Sequence, residues 1–196
     1  MRGDIIVKIA EMTDKKTIII LQGGSGSGKS SVTRYLTELG IPKVVTCTTR
    51  KPKVGEKDKV DYYFYESKEE LLTTDLIEYA EYSGNWYGTG VGEINSKLKE
   101  FDTICTVMEK EGAKKLKEAY PNNAIIISFP IEKEIMKANL EKRQDNKKLI
   151  DERLVNAEKL HEDVAWDYAD YVLTGNNLAN KYERVNEILK ERNIIE

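Results

Sequence analysis

Thr17-Ile18-Ile19-Ile20-Leu21-Gln22 runs straight into Gly23-Gly24-Ser25-Gly26-Ser27-Gly28-Lys29-Ser30-Ser31, and this junction decides the fold. The first half is short, β-branched and apolar almost without a break, as a strand buried on both faces of a parallel sheet must be. The second half satisfies G-x-x-x-x-G-K-[ST] at every position. Beyond it Val32, Tyr35, Leu36 and Leu39 recur at helical spacing until Gly40 and Pro42 stop them. Strand, glycine-rich loop and helix in that order let backbone N–H groups wrap an anion while the helix N-terminus adds a favourable dipole. Lys29 is then placed to reach the β- and γ-phosphates of a nucleoside triphosphate, and the Ser30 hydroxyl to ligate Mg²⁺. Gly23 through Ser31 are the expected triphosphate-binding residues.

Outward from this junction the alternation continues. Strand-like runs recur at Lys43–Thr46, Thr103–Val107, Ala124–Ser128 and Tyr171–Leu173. Helical patterns lie between or after them at Glu109–Ala119, Ile131–Glu141, Lys148–Ala165 and Leu178–Arg192. Such an order predicts an α/β protein with a central parallel sheet. Two stretches break the rhythm. Asp61–Tyr65, Ile77–Tyr82 and Asn85–Thr89 are short and aromatic-rich, with Ser83-Gly84 between the last pair, which predicts a small antiparallel insert over residues 47–91. Asn139–Lys148 is polar except for Leu140 and strongly basic. It is either a flap over a site or a solvated corner between helices, and composition alone favours the corner.

The balance of 31 Lys+Arg against 34 Asp+Glu leaves a net charge of −3, which excludes a polycationic binder held to nucleic acid by charge alone. Apolar runs such as Ile18–Leu21 and Ala124–Ile127 fall far short of the roughly 20 residues that span a bilayer. Met1–Lys16 carries charges throughout and reads as no secretory signal. Cys47 and Cys105 make no disulfide framework, and no Cys/His spacing points to zinc. The expectation is a cytoplasmic protein, monomer or homodimer, with small-molecule rather than nucleic-acid or membrane partners.

The insert narrows the chemistry. Thr48-Thr49-Arg50-Lys51-Pro52-Lys53 leads to Gly55-Glu56 and then Asp61-Tyr62-Tyr63-Phe64. Arg50 and Lys53, three apart beside prolines and glycines, suit the grip of a second phosphate. Glu78 and Glu81 alternate with Tyr79 and Tyr82, and Asn85-Trp86-Tyr87-Gly88-Thr89 supplies hydroxyls for a phosphate or a base edge. The N-K-x-D-type base recognition of a GTPase is not found. The phosphate loop, the Thr48–Phe64 stretch and the Glu78–Thr89 stretch together resemble the guanylate kinase family from about Thr17 to the C-terminal helix.

That resemblance implies a three-layer P-loop NTPase fold with a GMP-binding insert and a short lid, and transfer of the γ-phosphoryl group of ATP to GMP or dGMP with Mg²⁺. It divides the chain into a core (1–46, 92–138 and 154–196), an insert (47–91) and a lid (139–153). It implies that Arg50, Tyr62 and Tyr87 hold the GMP phosphate, with Lys53 where a second arginine is usual. Glu78 matches the carboxylate that accepts from guanine N1 and N2, Gly88 and Thr89 fall in the segment beside the base, and Cys47 replaces a serine on the guanine side. Arg143 and Arg153 resemble lid arginines, so that Lys29, Arg50, Arg143 and Arg153 are the expected catalytic cations. This resemblance favours the flap over the corner for 139–148.

Four departures stand out. The family's Asp-x-Asp-x-x-Gly reads here as Val107, Glu109 and Gly112, with Glu109 left to reach the guanine amino group. Gly175 occupies the position of an Asn that touches adenine, Lys53 lacks an arginine's bidentate fork, and the lid is short and has no glycine. These leave open a kinase of another phosphate ester, or a catalytically weak binding module. Among other residues, His161 is assigned no role, Trp86 and Trp166 read as core, Glu81 as surface, Cys105 as a buried strand residue, and Lys147-Lys148 and the C-terminal helix as solvated faces.

Overall fold

The computed structural model describes residue 13 and residues 15–82 and 84–196, with Tyr82 described by its backbone. The expectation drawn from Met1–Lys16, the first part of the 1–46 core segment, and Ser83 of the expected turn fall wholly or largely outside the described residues. In chain order the first elements are β1 (Thr17–Gly23), α1 (Lys29–Glu38), β2 (Thr46–Thr48), β3 (Tyr62–Phe64), α2 (Lys68–Leu71), β4 (Leu76–Tyr82) and β5 (Asn85–Gly90). There follow α3 (Val91–Glu100), β6 (Thr103–Val107), α4 (Lys110–Ala119), β7 (Ala124–Phe129), α5 (Lys133–Lys142), α6 (Lys147–Lys159), β8 (Tyr171–Val172) and α7 (Leu178–Glu191).

β1 lies inside a parallel sheet of order β6-β1-β7-β8. Its four apolar residues explain that place, because alternate side chains need an apolar partner on each face. Ile18 and Ile20 pack with Ile104 and Ile126 beneath Ile94 and Leu98 of α3 and Leu116 of α4. Ile19 and Leu21 face the other way, onto Ile125 and Ile127 and onto Val32, Leu36, Val185 and Ile188 of α1 and α7. Helices therefore cover both faces, giving the three layers expected. Since the strands are parallel, β1, β6 and β7 deliver Gly23, Val107 and Phe129 to one edge, where α/β sheets place their ligands.

A second sheet has the order β3-β2-β5-β4. β5 is antiparallel to β2 and to β4, but β3 joins β2 in parallel, pairing Thr46 with Tyr62 and Thr48 with Phe64. The insert is thus mixed rather than antiparallel. A tight hairpin forces antiparallel pairing, whereas the long connection from residue 49 to 61 carries the chain back to the end where β2 began, so that β3 can run parallel to it. Cys47, Leu71 and Leu76, with Tyr63, Tyr65 and Trp86 against them, give this sheet an apolar cluster of its own. Ile77 instead joins the cluster beneath α3 and α4 and ties the insert to the main sheet.

Three local expectations need correction. Lys43–Thr46 is not a strand of the main sheet. Lys43 makes an isolated bridge to Cys105, Val44 N–H donates to the Cys105 carbonyl (2.8 Å), and the chain then leaves to form β2. The helix expected over Lys148–Ala165 ends at Lys159. His161 turns left-handed (φ 49°) while its N–H and that of Glu162 reach back to the carbonyls of Glu158 and Ala157, a helix-ending arrangement that leaves Glu162 just past the terminus. α3 was not expected, although Val91, Ile94 and Leu98 carry helical spacing on its buried side. α5 and α6 form a hairpin over Met136, Leu140, Ile150, Leu154 and Ala157. Residues 139–148 are accordingly a helix end, a turn in which Gln144 takes φ 59° without a glycine, and a helix start. Trp86 and Trp166 lie in apolar clusters, Cys105 is buried, and Glu81, Lys147 and Lys148 are exposed. Among the described residues no helix is long and apolar enough to cross a membrane.

Candidate active site

The ends of β1 and β6, the inner face of the insert, the α5–α6 turn and the start of α7 surround one cleft of about 970 Å³. Its floor is the phosphate loop. Gly28 is the N-cap of α1 at φ 95°, a conformation that only glycine takes without strain, and no side chain caps the helix. The leading N–H groups of α1 are left for an anion. Lys29 Nζ turns back over the loop and donates to the carbonyls of Gly23 and Gly24, the latter at 2.6 Å. Burial lowers the Lys29 pKa, and Glu109 and Glu162 partly offset this. Both carboxylates line the cleft, and burial raises the pKa of each while Lys29 opposes the shift. Glu162 stands directly over the loop, with Oε2 2.5 Å from where a Cβ on Gly24 would be.

On the insert side, Glu78 of β4 is paired in register with Thr89 of β5, and Thr89 Oγ1 donates to Glu78 Oε1 at 2.8 Å. Burial pushes the Glu78 carboxyl up to about 7, opposed by the Thr89 hydrogen bond, with Glu109 adding to the rise. The opposite wall of this carboxylate is Gly112 in α4. A Cβ there would lie 2.9 Å from Glu78 Cδ and 3.0 Å from its Cβ, inside van der Waals contact. The glycine is what lets the helix and Glu78 share this space. Gly112→Ala is expected to push Glu78 aside, and with Glu78 in the guanine-binding role that the family resemblance implies, the KM for GMP should rise about tenfold while that for ATP stays unchanged. Steady-state kinetics with each substrate varied in turn decides it.

Arg50 follows β2 and is gripped by Glu56, whose two oxygens each accept from Nη2 at 2.9 Å. Glu56 also accepts from the Lys53 N–H at 2.8 Å. Burial works against this carboxylate, but those bonds hold it below the usual carboxylate range. The Arg50 guanidinium lies 5.3 Å from the centre of the Tyr62 ring, and Tyr62 meets Tyr87 edge-on at 6.3 Å. Arg50, Lys53, Tyr62 and Tyr87 thus share one wall of the cleft.

The α5–α6 turn and the first half of α6 add cations from above. Asp145 Oδ2 accepts from Arg153 Nη1 at 2.6 Å and lies 3.9 Å from Arg143 Nη2. Arg153 Nε is buried without a hydrogen-bond partner, and both arginines line the cleft. Asn139, at the end of α5, donates to the Gly26 carbonyl and to Asn176 Oδ1, both at 2.9 Å, and so links the turn to the loop.

All but two of the residues expected at the site line this cleft. Gly23 and Ser25–Ser31, Arg50, Lys53, Tyr62, Glu78, Tyr87, Gly88, Thr89, Glu109, Arg143 and Arg153 do so. Gly24 lies behind the surface and contributes its carbonyl to Lys29. Cys47 is not brought to the wall. Alternation along β2 sends it into the insert's apolar cluster while its neighbour Thr46 lines the cleft. Val107 lines the cleft as an uncharged side chain, and Gly175 occupies a positive-φ turn beside Asn176. Glu56, Asn139, Glu162 and Lys181 line it without having been expected. Glu56 stood inside a motif already read. Lys181 carried a signal too, since it is in phase with Val185, Ile188 and Leu189 on the buried stripe of α7. The C-terminal helix is therefore not a solvated face at that position. Glu162 depends on where α6 stops, which its charged surroundings did not reveal.

Comparison with known proteins identifies the family. The family model described as guanylate kinase matches residues 15–192. A guanylate kinase of Prochlorococcus marinus subsp. pastoris is 33% identical over 185 residues, covering 91% of this chain and 100% of the relative. One from Latilactobacillus sakei subsp. sakei is 30% identical over 190 residues, covering 93% of each. The crystal structure of guanylate kinase from Anaplasma phagocytophilum superposes with a TM-score of 0.67 at 25% identity, covering 92% of this chain and 87% of that one. The family match runs over nearly the whole chain, and the chain belongs to the guanylate kinase family, whose members phosphorylate GMP with ATP.

Proposed function

We propose that this chain transfers the γ-phosphoryl group of ATP to GMP or dGMP across the cleft, with the donor on Gly23–Ser31 and the acceptor on the insert. The observation that carries this reading is the placement of Glu78 and Arg50 in the same cleft as Lys29. Phosphoryl transfer asks for two phosphates held in line and for cations over the charge that spreads between them. Lys29 reaches from the loop, Arg50 from the insert, Arg143 from the α5–α6 turn and Arg153 from α6, and residues 139–153 serve as the lid. Arg50, Lys53, Tyr62 and Tyr87 hold the acceptor phosphate. Glu78 accepts from guanine N1 and N2, with Glu109 on the amino side and Gly88 and Thr89 beside the base. Adenine presents an acceptor at N1 and would leave the Glu78 carboxylate unpaired.

Among the described residues no cluster of three or more His, Cys, Asp or Glu can hold a metal alone. Ser30, exposed at the start of α1, fits one hydroxyl ligand of a Mg²⁺ ion that arrives with the triphosphate. Bound there, Mg²⁺ would neutralise charge on the β- and γ-phosphates. A coupled ADP-release assay with ATP, Mg²⁺ and GMP, dGMP, AMP, CMP, UMP or no acceptor tests this function. Turnover with GMP and dGMP alone is expected, and turnover with another acceptor or an acceptor-free background would overturn it. Tyr87→Phe is expected to raise the KM for GMP about tenfold with kcat nearly unchanged, the loss of one hydrogen bond to a charged phosphate. An unchanged KM would remove Tyr87 from the phosphate grip.

A further inference from the structure

We propose that Lys181 binds a base-proximal phosphate of the donor nucleotide, as a second ammonium at the opposite end of the phosphate loop from Lys29. Lys181 sits in the first turn of α7, is only 4% exposed, and lines the cleft. Its Nζ donates to the Ser27 carbonyl at 2.6 Å and lies 3.7 Å from where a Cβ on Gly28 would be. One of three ammonium N–H groups is thereby used. Burial lowers its pKa, and among the described residues no carboxylate offsets that shift. A buried cation without a counter-ion is costly unless a ligand brings the opposite charge.

The two lysines divide the loop between them. Lys29 donates to the carbonyls of Gly23 and Gly24 and reaches Ser27 only through its side chain, with Nζ to Oγ at 3.5 Å, while Glu109 and Glu162 offset its charge. Lys181 lies over Ser27 and Gly28, with Leu178 also beside Gly28. Their charges repel, since Lys181 helps to lower the Lys29 pKa. A polyphosphate laid along the loop, with its terminal phosphate toward Lys29, reverses that repulsion. The phosphates nearer the base then fall to the Ser27–Gly28 end. This inference rests on the assignment of Gly23–Ser31 to the donor nucleotide.

The competing role for Lys181 is structural, a tether between α7 and the loop. Lys181→Met keeps the length and suits a site that also contains Leu178 and Phe129, and Lys181→Arg keeps the charge. Both variants, with Lys29→Ala alongside, are titrated calorimetrically with ATP, ADP and GMP and melted without ligand. Lys181→Met is expected to lose about tenfold or more in affinity for ATP and ADP alike, the scale of one hydrogen bond to a charged group. GMP affinity should stay near the parent value and the ligand-free Tm of Lys181→Met at or above it, and Lys181→Arg should recover most of the loss in ATP and ADP affinity. Equal losses for ATP and GMP with a lowered Tm would establish the tether and overturn the proposal. A loss for ATP but not ADP would put Lys181 on the terminal phosphate and overturn the assignment to a base-proximal one. Unchanged ATP binding in Lys181→Met, with weakened binding in Lys29→Ala, would refute the phosphate role alone. Unchanged binding in both would refute the donor site itself.

Discussion

Lys29→Ala is expected to lower kcat for phosphoryl transfer by about 10³-fold or more, the largest loss from any single side chain of the loop. Lys29 donates to the loop carbonyls, and its ammonium offsets the charge of the cleft carboxylates Glu109 and Glu162. Removing it leaves those carboxylates facing the incoming phosphates, and repulsion adds to the lost attraction. ATP affinity should therefore fall as well as kcat. Lys29→Arg should restore little, because a planar fork replaces a point charge that fits among closely spaced carbonyls. Single-turnover kinetics at saturating ATP separate the two effects. Near-parental turnover in Lys29→Ala would sink the transfer mechanism while leaving the fold untouched.

The Thr17–Ser31 junction was legible because each part of it is local. A strand, a loop motif and a helix follow one another without help from distant residues, and all took the positions the sequence predicts. Glu78, Thr89 and Tyr87 were legible through motif spacing, and strand pairing then put Glu78 opposite Thr89. What was not legible depends on encounters between distant segments. Whether Cys47 or Thr46 meets the cleft turns on which face of β2 is inward, and a three-residue strand has too little alternation to show it. The parallel pairing of β2 and β3 depends on the path of the chain from residue 49 to 61. Glu162 and Lys181 lie beyond Arg153, the last predicted site residue, and meet the loop through packing alone. Val107 puts an uncharged side chain at the end of β6, yet the cleft is not short of negative charge, because Glu162 acts on Lys29 from past the end of α6.

Glu78→Gln is expected to lower kcat/KM for GMP by about 10²–10³-fold and to abolish its pH dependence in the neutral range. The argument turns on the protonation state. With its carboxyl pushed up to about 7 by burial, Glu78 carries a proton in much of the ligand-free population at neutral pH. Guanine N1–H and N2–H both donate, so only the ionised carboxylate can accept both bonds, and binding must expel the proton. The KM for GMP should therefore rise about tenfold for each unit the pH falls below 7 and level off above it, while the glutamine variant stays flat. Stability should move oppositely. Because the folded pKa lies above the unfolded one, the folded state holds the extra proton between them. The cost of a buried charge begins as pH rises through the ordinary value of 4.5 and is complete above about 7. Glu78→Gln should accordingly melt above the parent at about pH 8, with the difference vanishing below the ordinary carboxylate pKa. A GMP KM in the parent that is flat across this range would show that Glu78 is already ionised when GMP arrives. A Tm advantage for the variant that persists at low pH would show that its stability comes from packing instead. A rising KM together with a pH-gated Tm gain would make Glu78 a residue held at a cost to folding because guanine needs its charge.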